Sequence, residues 1–511
     1  MASSYLSPGV YVEEVSSGSK PIEAAGTAVA AFVGFAEVGP VNQPVLVTNW
    51  TQFVSTFGGF VPGSYLAHAV YGYFANGGGA SYVVRVGGDG AAAPEPARAE
   101  VPAAEDGKPA FAVRALAAGS NGAGTGDLAV EVTGGAGEQP DDTFTLVVKR
   151  GGAPVETIEG LTTKRGPTNV VTAVRQQSKL IAVEEVKGRA LALPRRGAEV
   201  SLSAGGVVAA RVAPDDYVGN TAARTGFAGL EAVDEVTMLA VPDLMAARQR
   251  DLLDDEGVKA VQLAMITHCE LMGDRVAILD APPGLNAQKV KEWRADVGYD
   301  SKYAALYWPW VKVMDPLTGK ASFMPPSGHV AGIWARNDSA RGVHKAPANE
   351  VVRGAVALEL SVTKGEHDQL NPNGINVIRA FPGQGIRVWG ARTLSSDPEW
   401  RYLNVRRLFN YVEKSILQGT NWVVFEPNDP KLWDSVKRTI TMFLRRVWRD
   451  GALFGRTPTE AFYVKCDEEN NPPENRDAGL LTVEIGIAPV KPAEFVVFRI
   501  SQFADGAGLE E

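Results

Sequence analysis

The sequence predicts a multidomain protein of the α/β and α+β classes: an α/β middle domain interrupted by a β-rich insert, then an α+β terminal domain with extended N- and C-terminal arms. Three observations support this prediction. Strand-like and helix-like segments alternate over roughly 230–345, residues 110–220 alternate in period two, and a strand-like segment lies near each end of the chain. The length of 511 residues suits about three domains.

The first 23 residues (1–23) are predicted to form an N-terminal arm. The segment GVYVEEV (9–15) has the β-branched and aromatic residues typical of a strand, but no hairpin partner follows it. The small and polar residues of SSGSKPIEAAG (16–26) suit a mobile tether. Because an extended segment must satisfy its backbone hydrogen bonds, this strand needs a sheet that the neighbouring sequence does not supply.

The middle domain is predicted to comprise residues 24–90 and 221–345. It opens with a buried strand and a helix that ends at the glycines 77–79. The later alternation of strands and helices indicates a mainly parallel sheet covered by helices.

Residues 91–220 are predicted to interrupt the middle domain as a small insert. They begin with a linker rich in proline, alanine and glycine and continue with short segments of period-two alternation. One helix is predicted near 168–180. The insert should therefore consist mostly of strands.

Residues 346–490 are predicted to form the α+β terminal domain. Two of its helices should begin with the same capping motif, in which an aspartate caps the helix and a proline takes the first helical position. The motif occurs at residues 397–398 and 429–430. The segment NWVVFEP (421–427) is predicted to be a strand between them.

The C-terminal arm is predicted to span residues 491–511 and to open with the strand-like segment KPAEFVVFRI (491–500). Phe498 and Ile500 share one face of this strand, because side chains alternate with period two. Like the N-terminal strand, it has no partner nearby in the sequence.

Composition excludes several classes of function. The formal net charge of −9 argues against a nucleic-acid partner, since phosphate binding needs a basic surface. Two cysteines cannot form a disulfide framework, which favours synthesis inside the cell. The first residues lack the pattern of a secretory signal, and no run of 18 apolar residues predicts a membrane span.

The sequence contains few of the motifs that mark catalytic, metal or cofactor sites. It contains no P-loop, no GxSxG elbow, no CxxC pair and no metal-ligand spacing among its histidines, so we expect no catalytic residue, metal or cofactor. The best enzyme-like residue is Asp280, which follows a predicted parallel strand where open α/β folds place catalytic groups. An aspartate there can equally cap the next turn before Pro282. An α/β enzyme that uses Asp280 is the alternative from another functional class.

Several stretches together resemble the contractile tail sheath family of bacteriophages and related contractile injection systems, in its one-piece form. They follow the family's order and three-part layout, and the likeness is strongest over 328–500. The stretches are SPGVYVEEV (7–15), TAVAAFVGFAEVGP (27–40), FANGGGASYVVRV (74–86), AILDAPPG (277–284), GHVAGIWARNDSARGVHKAPANE (328–350), LNPNGINVIRAFPGQGIRVWGARTLSSDPEWRYLNVRRLFNYVEKSI (370–416) and KPAEFVVFRI (491–500).

The resemblance implies that each arm pairs with the terminal domain of a neighbouring subunit, so that strands from three chains form one sheet. The residues alone leave open that both ends fold back on their own domain. The implied inter-subunit strands contain Val10, Tyr11, Val12, Glu13 and Val15 in the N-terminal arm, and Phe495, Val496, Val497, Phe498 and Ile500 in the C-terminal arm.

The resemblance also implies a structural subunit without enzymatic activity. Such subunits polymerise into a helical tube around an inner tail tube and contract from a metastable extended state to drive that tube into a target. The expected partners are further copies in stacked six-fold rings, the inner tube protein, and baseplate and terminator or cap proteins, without nucleic acid or direct membrane insertion. Assembly is expected in the bacterial cytoplasm, within a phage tail or tail-like particle. Another structural protein of that particle, such as a sheath terminator, is the second alternative.

The predicted helix from Pro430 to Asp450 carries a basic stripe opposite a broad apolar face. The stripe residues fall within about 40° of one another at 100° per residue. In the resembling family a terminal-domain helix contacts the inner tube, which makes the stripe a candidate docking surface; a solvated helix face is an equally weighted alternative. The stripe residues are Lys431, Arg438, Arg445 and Arg449.

Overall fold

The computed structural model describes residues 21–499 except 62, 87–97, 105–107, 117–127, 135–141, 151, 187–189, 203–211 and 316–318. These residues divide into two compact units. The large unit comprises Thr27–Ala340 and Pro347–Leu403, and the terminal unit comprises the described residues 21–26, Arg341–Ala346 and the chain from Asn404 onwards. Among the described helices, none combines the length and apolar character needed to cross a membrane.

The described part of the chain contains both strands and helices, which alternate over much of the large unit. The strands are β1 (Val29–Gly34), β2 (Val45–Val47), β3 (Ala80–Arg85), β4 (Arg98–Pro102), β5 (Pro109–Ala115), β6 (Leu128–Gly134), β7 (Phe144–Arg150), β8 (Ala153–Leu161), β9 (Ile181–Glu184), β10 (Glu199–Ser201), β11 (Met238–Ala240), β12 (Val276–Asp280), β13 (Ala304–Trp308), β14 (Val311–Met314), β15 (Ala321–Met324), β16 (Glu350–Val351), β17 (Ala355–Leu358), β18 (Ile375–Phe381), β19 (Gly385–Val388), β20 (Phe462–Lys465) and β21 (Glu484–Ile487). The α-helices are α1 (Trp50–Phe57), α2 (Leu66–Ala75), α3 (Val170–Gln177), α4 (Pro214–Val218), α5 (Asp243–Gln249), α6 (Asp255–Met272), α7 (Ala287–Val297), α8 (Ser327–Arg341), α9 (Lys364–Leu370), α10 (Leu403–Gly419), α11 (Pro430–Arg449), α12 (Pro458–Ala461) and α13 (Pro473–Asp477).

The large unit is built on a nine-stranded sheet in the order β16-β19-β18-β13-β12-β11-β1-β3-β2. The strands from β18 to β3 in this order run parallel, and the edges are antiparallel. Every residue of β12 and β13 is buried, as expected where helices cover both faces of a parallel sheet. The predicted α/β class is confirmed.

The end of the large unit differs from the predicted domain boundary at 346. Strand β18 pairs in parallel with β13, with Leu306 opposite Ile375, so residues 347–403 complete the sheet of the large unit. The parallel partner of β18 is distant in sequence, which is why local patterns did not reveal it.

The insert consists of two antiparallel sheets, β4-β5-β9 and β10-β6-β7-β8, with helix α3 inside the predicted interval. The two sheets share one apolar core, in which the rings of Phe111 and Phe144 stack at 6.0 Å. The predicted end of the insert at 220 is too late, because Val212 and Tyr217 belong to the core of the large unit. Tyr217 is fully buried and its hydroxyl donates to the Asp243 carbonyl oxygen at 3.3 Å.

The terminal unit packs helices α10 and α11 and the strand pair β20–β21 around one apolar core. The predicted cap of α11 is confirmed: the Asp429 carboxylate accepts a hydrogen bond from the Leu432 N–H at 2.8 Å, and Pro430 takes the first helical position. Gly451 ends this helix with φ +80°.

Two local predictions are wrong. Residues 421–423 form a short 3-10 helix instead of a strand, and Trp422 and Val423 pack against the terminal core. No helix begins at Pro398, because Asp397 closes a turn with the Glu399 and Trp400 amides and helix α10 starts only at Leu403.

The described end of the predicted tether, residues 21–26, is packed rather than free. Ile22 is 4% exposed and lies in the terminal core. The Ala25 N–H donates to Ser415 Oγ at 3.0 Å, and a Cβ atom on Gly419 would meet Ile22 at 2.6 Å. These residues therefore belong to the terminal unit and not to the start of the middle domain.

Candidate assembly surfaces

The C-terminal arm leaves the terminal unit at a well-anchored point. The Val490 N–H donates to the Ala452 carbonyl oxygen at 3.2 Å, and the Asn404 side-chain amide donates to the Val490 carbonyl oxygen at 3.1 Å. The same amide donates to the His344 carbonyl oxygen at 2.7 Å. The chain is thus hydrogen-bonded to the terminal unit as far as Val490, and the start of an arm at residue 491 stays a prediction.

Beyond this anchor, residues 491–499 form neither helix nor strand within the described chain. The apolar side chains of the predicted strand point into solvent. Phe495, Val496, Val497 and Phe498 are 75, 69, 78 and 83% exposed. Four consecutive exposed apolar residues are unusual on a protein surface and make this segment a candidate interaction site.

The remaining predicted arm residues lie outside the described residues. These are Ile500 in the C-terminal arm, and Val10, Tyr11, Val12, Glu13 and Val15 in the N-terminal arm. Their role in strand exchange stays a prediction.

Strands β20 and β21 form a two-stranded antiparallel sheet in the terminal unit. In the described part of the chain, neither strand has a second strand neighbour, so each presents an open edge. Only the chain just after β21 is bridged, by Pro489 to Leu453. One face of the pair rests on the terminal core through Val464, Ile485 and Ile487. The sequence predicts both strands of this pair but not that they lack a third strand neighbour.

The packing across the pair fixes its register. Tyr463 lies opposite Gly486, and a Cβ atom on Gly486 would lie 2.1 Å from the tyrosine ring. The Tyr463 hydroxyl donates to the Glu484 carboxylate at 2.8 Å. Gly486, which has no side chain, therefore leaves room for the Tyr463 ring. This ring lies on a face of the strand pair that is partly open to solvent, since Tyr463 is 53% exposed.

Helix α11 separates an apolar and a basic face as predicted. Its apolar face is buried in the terminal core, and the Trp448 indole N–H donates to the Gly455 carbonyl oxygen at 3.0 Å. The basic residues are exposed, and none of them forms an ion pair with another described residue. These are Lys431, Arg438, Arg445 and Arg449.

Asp280 is a structural cap in the large unit. It is 4% exposed, and its carboxylate accepts a hydrogen bond at 2.9 Å from the N–H of Ser327, the first residue of helix α8. Its carbonyl oxygen accepts from the Gln262 side chain at 2.9 Å. Burial raises the pKa of Asp280 to about 7, and the hydrogen bond from Ser327 partly offsets this shift. The carboxylate therefore caps helix α8 and not the turn before Pro282 that the sequence indicated.

Matches to known families cover the central and C-terminal parts of the chain. Residues 216–394 match the phage tail sheath protein central domain, and residues 395–503 match the phage tail sheath C-terminal domain. The two matches meet at residue 394, close to the last residues of the large unit.

Two curated relatives illustrate the sequence likeness. A putative prophage major tail sheath protein of Pseudomonas aeruginosa (strain UCBPP-PA14) is 28% identical over 229 residues, 44% of this chain and 57% of that protein. The tail sheath protein of Salmonella phage ViI is 27% identical over 296 residues, 56% of this chain and 44% of that protein. The chain spans about half the length of these curated relatives.

Solved structures share the fold along nearly the whole chain. The helical sheath of the anti-feeding prophage in its contracted state has a TM-score of 0.59 at 24% identity and covers 97% of this chain and 99% of that chain. The sheath complex of the extracellular contractile injection system PVC, also contracted, has a TM-score of 0.56 at 22% identity and covers 98% of both chains. With both family domains in order, the chain belongs to the phage tail sheath protein family.

Proposed function

We propose that this chain is a sheath subunit that polymerises into a hollow helical tube around an inner tail tube and is held there by exchanged strands. Each arm adds a strand to the β20–β21 pair of a neighbouring copy, so that three chains share one sheet. One observation carries the proposal. The same chain contains an exposed apolar segment, 495–498, that needs a sheet to pair with, and a strand pair whose open edges can accept a further strand.

Elementary energetics favour this exchange. A two-stranded sheet alone is marginally stable in water, and an added strand supplies backbone hydrogen bonds to its edge. Burying a Phe or Val side chain contributes about 1.5–3 kcal/mol, against an ordering cost of about 1–2 kcal/mol per residue for the arm backbone. Alternate side chains of the arm, including Phe498, would cover the apolar part of the neighbouring unit. The exchange therefore stabilises both the arm and its acceptor.

The basic stripe of α11 serves in this proposal as the contact with the inner tube. Its four cations are exposed and available to acidic groups on that tube. The contact must form in the extended state and release on contraction. Exposed, salt-screened charge pairs suit such a contact better than a buried apolar patch, because each contributes at most about 1 kcal/mol.

Contraction follows from a sheath whose subunits have two packing arrangements. The two compact units keep their own cores while the contacts between copies change, so the stored energy lies between subunits and no catalytic step is needed. The proposed partners are further copies in six-fold rings, the inner tube, the baseplate, and a terminator or cap protein. Assembly would take place in the bacterial cytoplasm, as part of a phage tail or tail-like particle.

A truncation tests the role of the C-terminal arm. Removing residues 491–511 should leave folded, soluble subunits that no longer polymerise, because the truncation keeps the terminal core up to Ile487 and the hydrogen-bonded Val490. Negative-stain electron microscopy of the purified protein reads out the tubes, and circular dichroism confirms folding.

The matched control for this truncation removes only residues 504–511, which keeps the predicted strand. That shorter truncation should still form tubes. Normal tubes from the chain that lacks 491–511 would show that this arm does not link the subunits.

A further inference from the structure

A cavity of about 390 Å³ lies in the large unit, where the end of helix α7 meets the segments 372–374 and 392–401. Three arginines line it, Arg294, Arg392 and Arg401, and one acid, Asp300. None of the sheath-specific surfaces above involves these residues. The cavity therefore calls for its own explanation.

The one acid in the cavity offsets only part of the charge of the three arginines. Both Asp300 oxygens accept hydrogen bonds from Ser396, one of them from its N–H at 2.9 Å. These bonds hold the pKa of Asp300 below its usual range, so it stays ionised. Neither Arg294 nor Arg401 forms an ion pair with a carboxylate in the described residues. The cavity wall thus keeps a net positive charge.

The arginines are held in place by the fold. A buried Asn376 bonds both the N–H and the carbonyl oxygen of Arg392, at 2.7 and 2.8 Å. The Arg294 guanidinium donates to the Tyr299 carbonyl oxygen at 2.7 Å. Among the described atoms, Arg294 Nε is buried without a hydrogen-bond partner, and burial lowers the pKa of this guanidinium.

We propose that this arginine cavity binds a small polyanion that carries phosphate or carboxylate groups. Guanidinium groups match both kinds of oxyanion, and the volume exceeds what a single oxyanion needs. Serine and asparagine side chains on the rim, at Ser395 and Asn373, supply further donors. Binding does not require arm exchange, because the cavity lies wholly in the large unit.

The test titrates the full, unassembled chain with inorganic pyrophosphate and, separately, with citrate. Isothermal titration calorimetry at constant ionic strength measures the affinity. Arg401 is exposed and its removal should not disturb the core, so Arg401→Gln should weaken binding about tenfold. The matched control, Arg175→Gln, removes an exposed arginine from helix α3 of the insert and should leave the affinity unchanged.

Saturable binding of either anion, with the expected loss in Arg401→Gln only, supports the proposal, and the tighter anion identifies the preferred group. Absence of saturable binding of both anions to the wild-type chain overturns it. Equal weakening by Arg401→Gln and Arg175→Gln also overturns it, because the effect would then reflect overall charge.

Discussion

The position of Asp280 at the end of a strand could be predicted from the sequence, but the buried environment of its side chain could not. The strand-terminal place was visible in AILDAPPG, whereas the burial of the side chain and its bond to Ser327 come from helix α8, nearly 50 residues later in the chain. The folded-state pKa of about 7 lies above the unfolded value of about 3.9. Between these values the folded chain keeps a proton that the unfolded chain loses, so this residue lowers stability as pH rises.

Asp280→Asn should therefore reduce the pH dependence of stability. Between about pH 5 and pH 7 the unfolding free energy of the wild-type chain should fall by up to about 1.4 kcal/mol per pH unit. The variant lacks the titrating carboxyl, so this part of the decrease should be missing from it. Urea unfolding at several pH values measures both slopes, and Asp296→Asn, an exposed change on helix α7, is the control. Identical slopes for Asp280→Asn and wild type would contradict the assigned protonation.

The basic stripe yields a second prediction for single residues. Reversing Arg438 and Arg445 to glutamate should leave the subunit folded, since both side chains are exposed, and should favour empty or contracted sheaths. Each lost pair is weak, about 0.2–1 kcal/mol, but the loss repeats in every subunit along the tube. Electron microscopy of sheaths assembled with the inner tube protein measures the tube-filled fraction.

The control for this reversal places the same charge change elsewhere, in the double variant Lys289→Glu and Lys291→Glu on helix α7. That variant should fill with tube as the wild type does. An unchanged tube-filled fraction after reversal of Arg438 and Arg445 would leave the stripe as an ordinary solvated helix face.

Among the elements, those with strong local signals were predicted best. Helix α11 follows from its cap and its 3.6-residue apolar period, and the insert from its period-two strands. The segment 421–427 has β-branched and aromatic residues, yet it forms a turn because it bridges two helices and packs Trp422 and Val423 against the terminal core. The parallel partner of β18 and the packing of Ile22 depend on distant residues, so propensity and periodicity could not reveal them.

The insert carries a prediction at the scale of elements. Because it has its own apolar core, replacing residues 91–210 with a short Gly/Ser loop should preserve both the fold of the large unit and sheath assembly. We propose that the insert lies on the outside of the tube, which is why assembly should tolerate its loss. Differential scanning calorimetry and electron microscopy measure the two outcomes.

A longer replacement, of residues 91–220, is the matched comparison, because it also removes the buried Tyr217 from the core of the large unit. Loss of a buried aromatic side chain typically costs about 3–5 kcal/mol, so this variant should unfold at lower temperature. If the shorter replacement abolishes assembly while the remaining chain is folded, the insert contributes to subunit contacts and the proposed placement is wrong.

At the scale of the whole molecule, the central claim is that the terminal arm pairs with another copy and not with its own chain. Sequence likeness places the chain in the sheath family, and the described residues present an exposed arm and an open-edged strand pair. The two native cysteines, Cys269 and Cys466, are buried, so engineered cysteines can report contacts against a low background.

The most direct measurement mixes two single variants before assembly, one with Val497→Cys in the arm and the other with an acceptor cysteine, Tyr463→Cys in β20 or Glu484→Cys in β21. Treatment with a short bifunctional maleimide, followed by mass spectrometry of the linked peptides, identifies the joined chains. We predict a link between the two different variants in assembled tubes and none in unassembled subunits. A link that forms within one chain of a double variant before assembly, with no link between copies in tubes, would contradict strand exchange.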